Sequence, residues 1–433
     1  MLADAARNLD ALASGLAAIG DCDWHSHGAW LAAAAQFSAA PAARIDDPAI
    51  VLHALAGGLP APACATLRDA HLRAVLAASA PYPSTERLLR KQLRVGYLAG
   101  PADDSLQDAL LAGLLACHAR ESFEPVVYAY AGLDTPLAVA CRANAVLLRP
   151  IAHLKPHEAQ GLVRVDDIDV LVDLCGLHDR RAAALLLLRP ARAHVHLATS
   201  LSAAAHRAMP WVSLPPISVR PVADRRAQQA SLGLPDRGAI LGCLSPAWMI
   251  GPETFAAWME ALAATADSHL LLVNISGAAQ ANLGLAAANA NVAPARLHYA
   301  TADSLAQTIA IARLADVLVE PLHATDALDA AAAQACAVPL VAPGGAAREN
   351  RPGACVLRQA GLGEFAVADR TGYVARTVEL LGNPEALAQA RARFANVWRG
   401  EPQNRFAEWV RTLEARLEAT YAERVSLASA NGR

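Results

Sequence analysis

The residues best placed to do chemistry cluster at the ends of apolar runs. Ala239-Ile240-Leu241-Gly242-Cys243 is followed by Leu244-Ser245-Pro246-Ala247-Trp248-Met249 and then by Gly251-Pro252-Glu253-Thr254-Phe255, which together read as a strand, a short loop and a helix. The loop and the N–H groups at the helix start form an anion site in such a unit, so a phosphate-bearing ligand is the first expectation and Ser245 a candidate contact. His323, with Thr325 and Asp326, lies just after another predicted strand, where ligand groups gather in open α/β sheets; the alternative is a hydrogen-bonded structural histidine. Gly344-Gly345 follows a third strand and either forms a strand-to-helix turn or turns its N–H groups to a ligand. Arg351 reads by itself as a surface charge.

Other chemistries find less support. Asp167-Ile168-Asp169 spells the Asp-x-Asp of metal-dependent sugar transfer, but it precedes a predicted strand instead of following one, and it reads as a solvated loop with no metal inferred. The histidines of 153–157 and 194–206 lack zinc-ligand spacing. Eight cysteines are scattered without paired spacing, which fits small buried hydrophobes better than disulfides or zinc. No Walker lysine loop and no G-x-G-x-x-G follows a strand, which argues against an ATPase or a nicotinamide enzyme, and no cofactor is expected. A net charge of −3 argues against bulk nucleic-acid binding and leaves Arg180-Arg181 and Arg225-Arg226 as local patches.

The chain has 433 residues, long for one core, which predicts two domains and an appendage. Its hydrophobic fraction of 55% with 5% aromatic is mostly alanine, suited to helices on sheets. No apolar run reaches the roughly 18 residues of a membrane span. The first residues lack a basic stretch leading into an apolar core, so a cytoplasmic protein is expected. Residues 1 to about 90 read as helical and separate, with no repeat of about 34 residues. From Leu93 short apolar runs alternate with helical stretches: strands are predicted around 95–98, 126–129, 145–148, 170–174 and 194–197. Pro210, Pro215, Pro216 and Pro221 mark an extended linker. A second series follows, with strands around 239–243, 270–273, 297–299, 317–319 and 340–341. Such alternation means parallel βαβ units. Two Rossmann-like halves facing a cleft, a small N-terminal helical region and a final helix over about 405–424 form the plan of a GT-B protein, an α/β fold whose ligands bind at the carboxyl ends of the strands.

Several motifs carry a family resemblance: Asp21-Cys22-Asp23-Trp24 near the start, Leu93-Arg94-Val95-Gly96-Tyr97, Ile168-Asp169-Val170-Leu171-Val172-Asp173-Leu174-Cys175-Gly176, the Trp248-Met249 segment, Arg313-Leu314-Ala315-Asp316-Val317, and Val338-Pro339-Leu340-Val341-Ala342-Pro343-Gly344-Gly345 with Arg351 and Ala360-Gly361-Leu362-Gly363-Glu364. In order and spacing this series resembles the catalytic region of the O-GlcNAc transferase (SPINDLY-like) family of bacteria. The resemblance implies an acceptor-side domain over 91–210, a linker over 211–232, a nucleotide-sugar domain over 233–404 and a closing helix over 405–433. It also implies a UDP-sugar donor, a protein acceptor and a nucleotide-site role for Arg351. At the positions that matter for transfer the chain departs from the family. The family's His-Pro falls at Ser105-Leu106, and Met249 stands where a lysine near the diphosphate is expected. The His-Thr-Thr run falls at Ala327-Leu328-Asp329, and the flanking Asn and Asp fall at Thr325 and Ala332. His323-Ala324-Thr325 is a partial substitute if the loop is re-registered. Three functions follow: a UDP-sugar-dependent protein glycosyltransferase, a pseudoenzyme acting as a binding or regulatory partner, and a different sugar-nucleotide enzyme on the same scaffold.

Overall fold

The computed structural model describes residues 18–25, 30, 91–100, 105–175, 180–196, 207–208, 225–323, 327–344, 351–398 and 402–431. The linker prolines and most of the first 90 positions lie outside the described residues. The chain divides into two compact units, one built on residues 91–208 with the last helix, the other on residues 225–398 with the stretch around 18–30.

In the first unit β1 (Leu93–Ala99), β2 (Phe123–Ala129), β3 (Leu147–Pro150), β4 (Val170–Asp173), β5 (Ala193–His196) and β6 (Arg207–Ala208) form one sheet in the order β3-β2-β1-β4-β5-β6. Every pairing is parallel. Helices α1 (Ser105–Cys117), α2 (Pro136–Ala143), α3 (Pro156–Val165) and α4 (Arg180–Leu187) connect the strands. This is the doubly wound dinucleotide-fold order. Two expectations are corrected here. The strand expected over 145–148 starts two residues later, because Ala145 (φ 51°) and Val146 end α2: the Val146 N–H reaches the Cys141 carbonyl (2.9 Å) and the Ala145 N–H reaches that of Arg142 (3.2 Å), a left-handed helix stop. The Asp167–Asp169 stretch is not solvated. Asp169 is fully buried, accepting from the Arg94 N–H (2.9 Å) and Arg192 (3.4 Å), while Arg192 also pairs with Asp167. Its arginine partners come from distant strands and loops, which a local reading cannot see.

The last helix, α13 (Pro402–Asn431), belongs to this unit. Phe406, Trp409, Val410, Leu413 and Leu417 recur at helical spacing and are all buried. A polar chain fixes its position. Glu414 accepts from His118 Nδ1 (2.9 Å) and from the Ala119 N–H (2.9 Å), Arg411 bridges Glu414 and the Cys117 carbonyl, and the far side of the His118 ring meets the Tyr97 hydroxyl. Burial raises the carboxyl pKa of Glu414, but the His118 and Ala119 hydrogen bonds and the charges of His118 and Arg411 outweigh it and hold it below the ordinary range.

The second unit repeats the plan. β7 (Ile240–Cys243), β8 (His269–Val273), β9 (Leu297–Ala300), β10 (Val317–Val319), β11 (Leu340–Pro343) and β12 (Ala366–Val367) lie in the order β12-β11-β10-β7-β8-β9, again parallel throughout. Its helices are α5 (Arg225–Ser231), α6 (Pro252–Ala264), α7 (Gly277–Asn289), α8 (Leu305–Ala312), α9 (Leu328–Cys336), α10 (Pro352–Gln359), α11 (Arg370–Gly382) and α12 (Pro384–Trp398). Every residue of β7, β10 and β11 is buried, as continuous apolar runs covered on both faces require. Gly242 lets β7 and β10 lie side by side: a Cβ there would stand 2.8 Å from that of Ala315 and 3.0 Å from the Leu318 side chain. The chain reverses its winding between β7 and β10, so the ligand crevice of such a sheet opens beyond Cys243 and Val319.

Candidate functional site

At the carboxyl end of β7 the chain is held by a carboxylate. Asp329, fully buried in the first turn of α9, accepts the Leu244 N–H (2.8 Å) and the Ser245 hydroxyl (2.7 Å). A carboxylate at a helix start is favoured by the helix dipole, and here it also satisfies the strand end. Ser245, expected in contact with a ligand, is itself fully buried with its hydroxyl directed to Asp329.

The loop after β10 is built the same way. Fully buried Glu320 accepts the Gly353 N–H (3.0 Å) at the start of α10, and its carbonyl accepts the Tyr373 hydroxyl (2.8 Å), which in turn accepts from the Trp258 indole (2.9 Å). Burial pushes the Tyr373 phenol well above its ordinary pKa, so it stays a neutral donor. Gly353 leaves room for the Glu320 carboxylate, from which a Cβ there would lie 2.4 Å. The Leu322 N–H donates to Thr254 Oγ1 (3.0 Å), and His323 Nε2 meets Glu253 Oε2 at 2.6 Å, so this loop is pinned to the first turn of α6. Arg351, only 3% exposed, donates to the Leu322 carbonyl, while its Nη1 has no hydrogen-bond partner among the described residues. Gly344 is buried, its N–H on the Val367 carbonyl (2.6 Å) and its own carbonyl receiving Arg358.

Ser245, His323, Gly344 and Arg351 thus gather at the carboxyl edge of one sheet. Thr325, Asp326 and Gly345 lie outside the described residues, as does the side chain of Ser105, which opens α1 in the other unit. Sequence reasoning missed Glu253, Thr254 and Glu320, and it marked position 329 only as part of a lost His-Thr-Thr run, without the role of Asp329 in holding β7. The signal was present in part: Glu253 and Thr254 follow Gly251-Pro252, and an acid just past a helix start is a recognisable pattern.

Met249 closes a 3₁₀ turn over Ala247–Met249 and is 2% exposed, packed by Trp248. A segment more than two hundred residues earlier braces this turn: Cys22 Sγ lies 3.6 Å from the Ala247 carbonyl, the Trp24 indole N–H donates to that of Ile250 (3.3 Å), and the Trp24 ring packs at a 48° tilt against Phe255, centroids 5.3 Å apart. Asp21 anchors the segment to Ser276 (3.1 Å) and Asn282 (2.9 Å) at α7. Burial and the Asp21 charge push the Cys22 thiol up to about 12, which makes it an inert packing group.

No protein-family model matches the sequence, and no curated protein sequence does. Solved structures match in three dimensions. One is a lysine-to-methionine mutant of the O-GlcNAc transferase of Thermobaculum terrenum, with a TM-score of 0.73 at 19% identity over 96% of this chain and 82% of that one. The fold is GT-B. A second GT-B match is HepE of Anabaena in complex with UDP and glucose, with a TM-score of 0.50 at 12% identity over 76% of this chain and 100% of that one. At these identities the likeness is one of fold. Among the described residues of this GT-B chain no helix is long and apolar enough to cross a membrane, and no group of three or more His, Cys, Asp or Glu side chains is placed to hold a metal ion.

Proposed function

We propose that the chain is a glycosyltransferase of the O-GlcNAc transferase kind, moving GlcNAc from a UDP donor to a protein side chain. The observation that carries this reading is the fold match over 96% of the chain to an O-GlcNAc transferase. The UDP-bound state of HepE and the ordered series of family-like motifs support it. In this reading the diphosphate lies at the carboxyl edge of the second sheet, near the loop after β7, residues 323–326, Gly344-Gly345 and Arg351. The protein works in the cytoplasm, with no metal and no cofactor beyond the donor. Transfer breaks the bond from the anomeric carbon to the β-phosphate, whose oxygen keeps the electron pair, and forms a bond to the acceptor oxygen, whose proton passes to solvent.

Met249 offers no positive charge to the departing diphosphate, and loss of one positioned donor costs on the order of 100- to 1000-fold in rate. Its burial against Trp248 favours a second reading, a pseudoenzyme that binds a sugar nucleotide and acts through a partner. Incubation with UDP-GlcNAc and a peptide library, read by mass spectrometry, separates the two. Slow but enzyme-dependent peptide glycosylation supports the first reading. UDP binding without any transfer supports the second.

A further inference from the structure

β9 is the edge strand of the second sheet and pairs with β8 alone. His269 opens β8, and His298 is the second residue of β9. The register sets His298 against Leu271, two residues beyond His269, so the two imidazoles share a face of the sheet. They meet there: His269 Nδ1 lies 3.0 Å from His298 Nε2, with ring centroids 5.1 Å apart. Both residues are half-buried. The charged groups that act on the pair are Arg296, just before β9, and Asp267, just before β8. Arg296 is directed to the carbonyls of Leu262 (2.7 Å), Thr265 (2.7 Å) and Ser268 (2.8 Å), and Asp267 is exposed.

A neutral pair is bonded whichever ring donates, and a pair with one imidazolium is bonded too, since the charged ring donates to the lone pair of the other. With two imidazolium rings both facing nitrogens carry hydrogen, and no lone pair remains between them. Attraction then becomes repulsion between like charges, with Arg296 a third cation and Asp267 the one carboxylate acting against them. We propose that this pair is an acid-released clasp: it ties the edge strand to β8 until both rings are charged, and then lets the amino end of β9 leave the sheet. Burial first, then the charges of His298 and Arg296, lower the His269 pKa against the raising effect of Asp267, and burial lowers that of His298. Linkage gives the sign. Both folded values lie below the unfolded value of about 6.5, so the stability supplied by the clasp is complete above that pH and is lost as pH falls through the folded values. Each proton bound by the open strand and not by the closed one raises the opening constant by up to about tenfold per pH unit. The carboxyl end of β9 is held differently, by the Asn274 side chain on the Ala302 N–H (2.8 Å) and carbonyl (3.0 Å), groups that do not titrate. The clasp stands at the amino edge of the sheet and does not rest on the proposed UDP site.

Hydrogen exchange of the full chain between pH 7.5 and 5.5, corrected for intrinsic rates and compared between β9 and the central strand β7, tests this directly. Opening of β9 should increase several-fold between pH 6.5 and 5.5 while β7 stays unchanged. His298→Gln keeps a hydrogen-bonding partner for His269 and removes one titrating ring, so it should reduce the increase. The double variant His269→Asn, His298→Gln should abolish it, with near-ultraviolet circular dichroism verifying the fold of each variant. In the parent, the ring resonances of both histidines should titrate below pH 6.5. The same pH dependence in β9 and β7, an increase retained in the double variant, or titration of either ring above pH 6.5 overturns the clasp.

Discussion

Asp329 is the residue that holds the carboxyl end of β7. Replacing it by alanine leaves the buried Leu244 N–H and Ser245 hydroxyl without their acceptor, at about 1–3 kcal/mol for each group left unsatisfied. Denaturant unfolding of Asp329→Ala should therefore show a stability loss of about 2–6 kcal/mol, and Asp329→Asn, which keeps one acceptor oxygen, a smaller one. A loss within about 0.5 kcal/mol, the range of ordinary surface changes, would show that the contacts carry no weight. Met249 makes the opposite case. At 2% exposure a lysine in its place buries an ammonium, so Met249→Lys should lower the melting temperature of the free protein. If the diphosphate lies within reach of that ammonium, UDP should restore more of the melting temperature in the variant than in the parent. An equal UDP shift in both proteins places position 249 away from the ligand.

Two elements far apart in sequence hold their units in ways that local patterns do not reveal. The segment around residues 21–24 braces the turn before α6. Half-buried Trp24 packs against Phe255, and its loss should cost about 2 kcal/mol, less than the roughly 3–5 kcal/mol of a fully buried aromatic. Trp24→Phe keeps a ring against Phe255 and should recover most of it, with the melting temperature as the readout. The final helix is pinned through Glu414, whose folded-state pKa is depressed. Its stabilising contribution is therefore present above the unfolded value of about 4.3 and disappears as pH falls through the lower folded value. Hydrogen exchange in α13 should accelerate relative to the β1 amides between pH 5 and 3, after correction for intrinsic rates, and Glu414→Gln should flatten that change. Equal acid sensitivity in parent and variant would falsify the role of Glu414.

The strands were legible in the sequence because both faces of each sheet are covered, which leaves short apolar runs such as 170–173 and 317–319 with little else to be. β3 was misplaced because a left-handed Ala145 ends α2 without the glycine that usually signals such a stop.

At the scale of the whole molecule, both units wind their parallel strands in the same order, and that order places a ligand edge beyond β7 and β10. The strand ends could be read from sequence, and with them the neighbourhood of Ser245, His323, Gly344 and Arg351. What fills that neighbourhood could not. Ser245 with Asp329, Leu322 with Thr254 and His323 with Glu253 are pairings across 84, 68 and 70 residues, and only the sheet order brings them together. The acids and the buried methionine make this edge less hospitable to anions than strand positions alone suggest, so occupancy by the nucleotide is the point on which the functional account turns. Isothermal titration with UDP at pH 6.5, on the full chain, tests it most directly. The account predicts saturable binding of one UDP per chain, weakened by Arg351→Ala and by His323→Ala. Absence of binding at millimolar UDP, or an affinity unchanged in both variants, would contradict it.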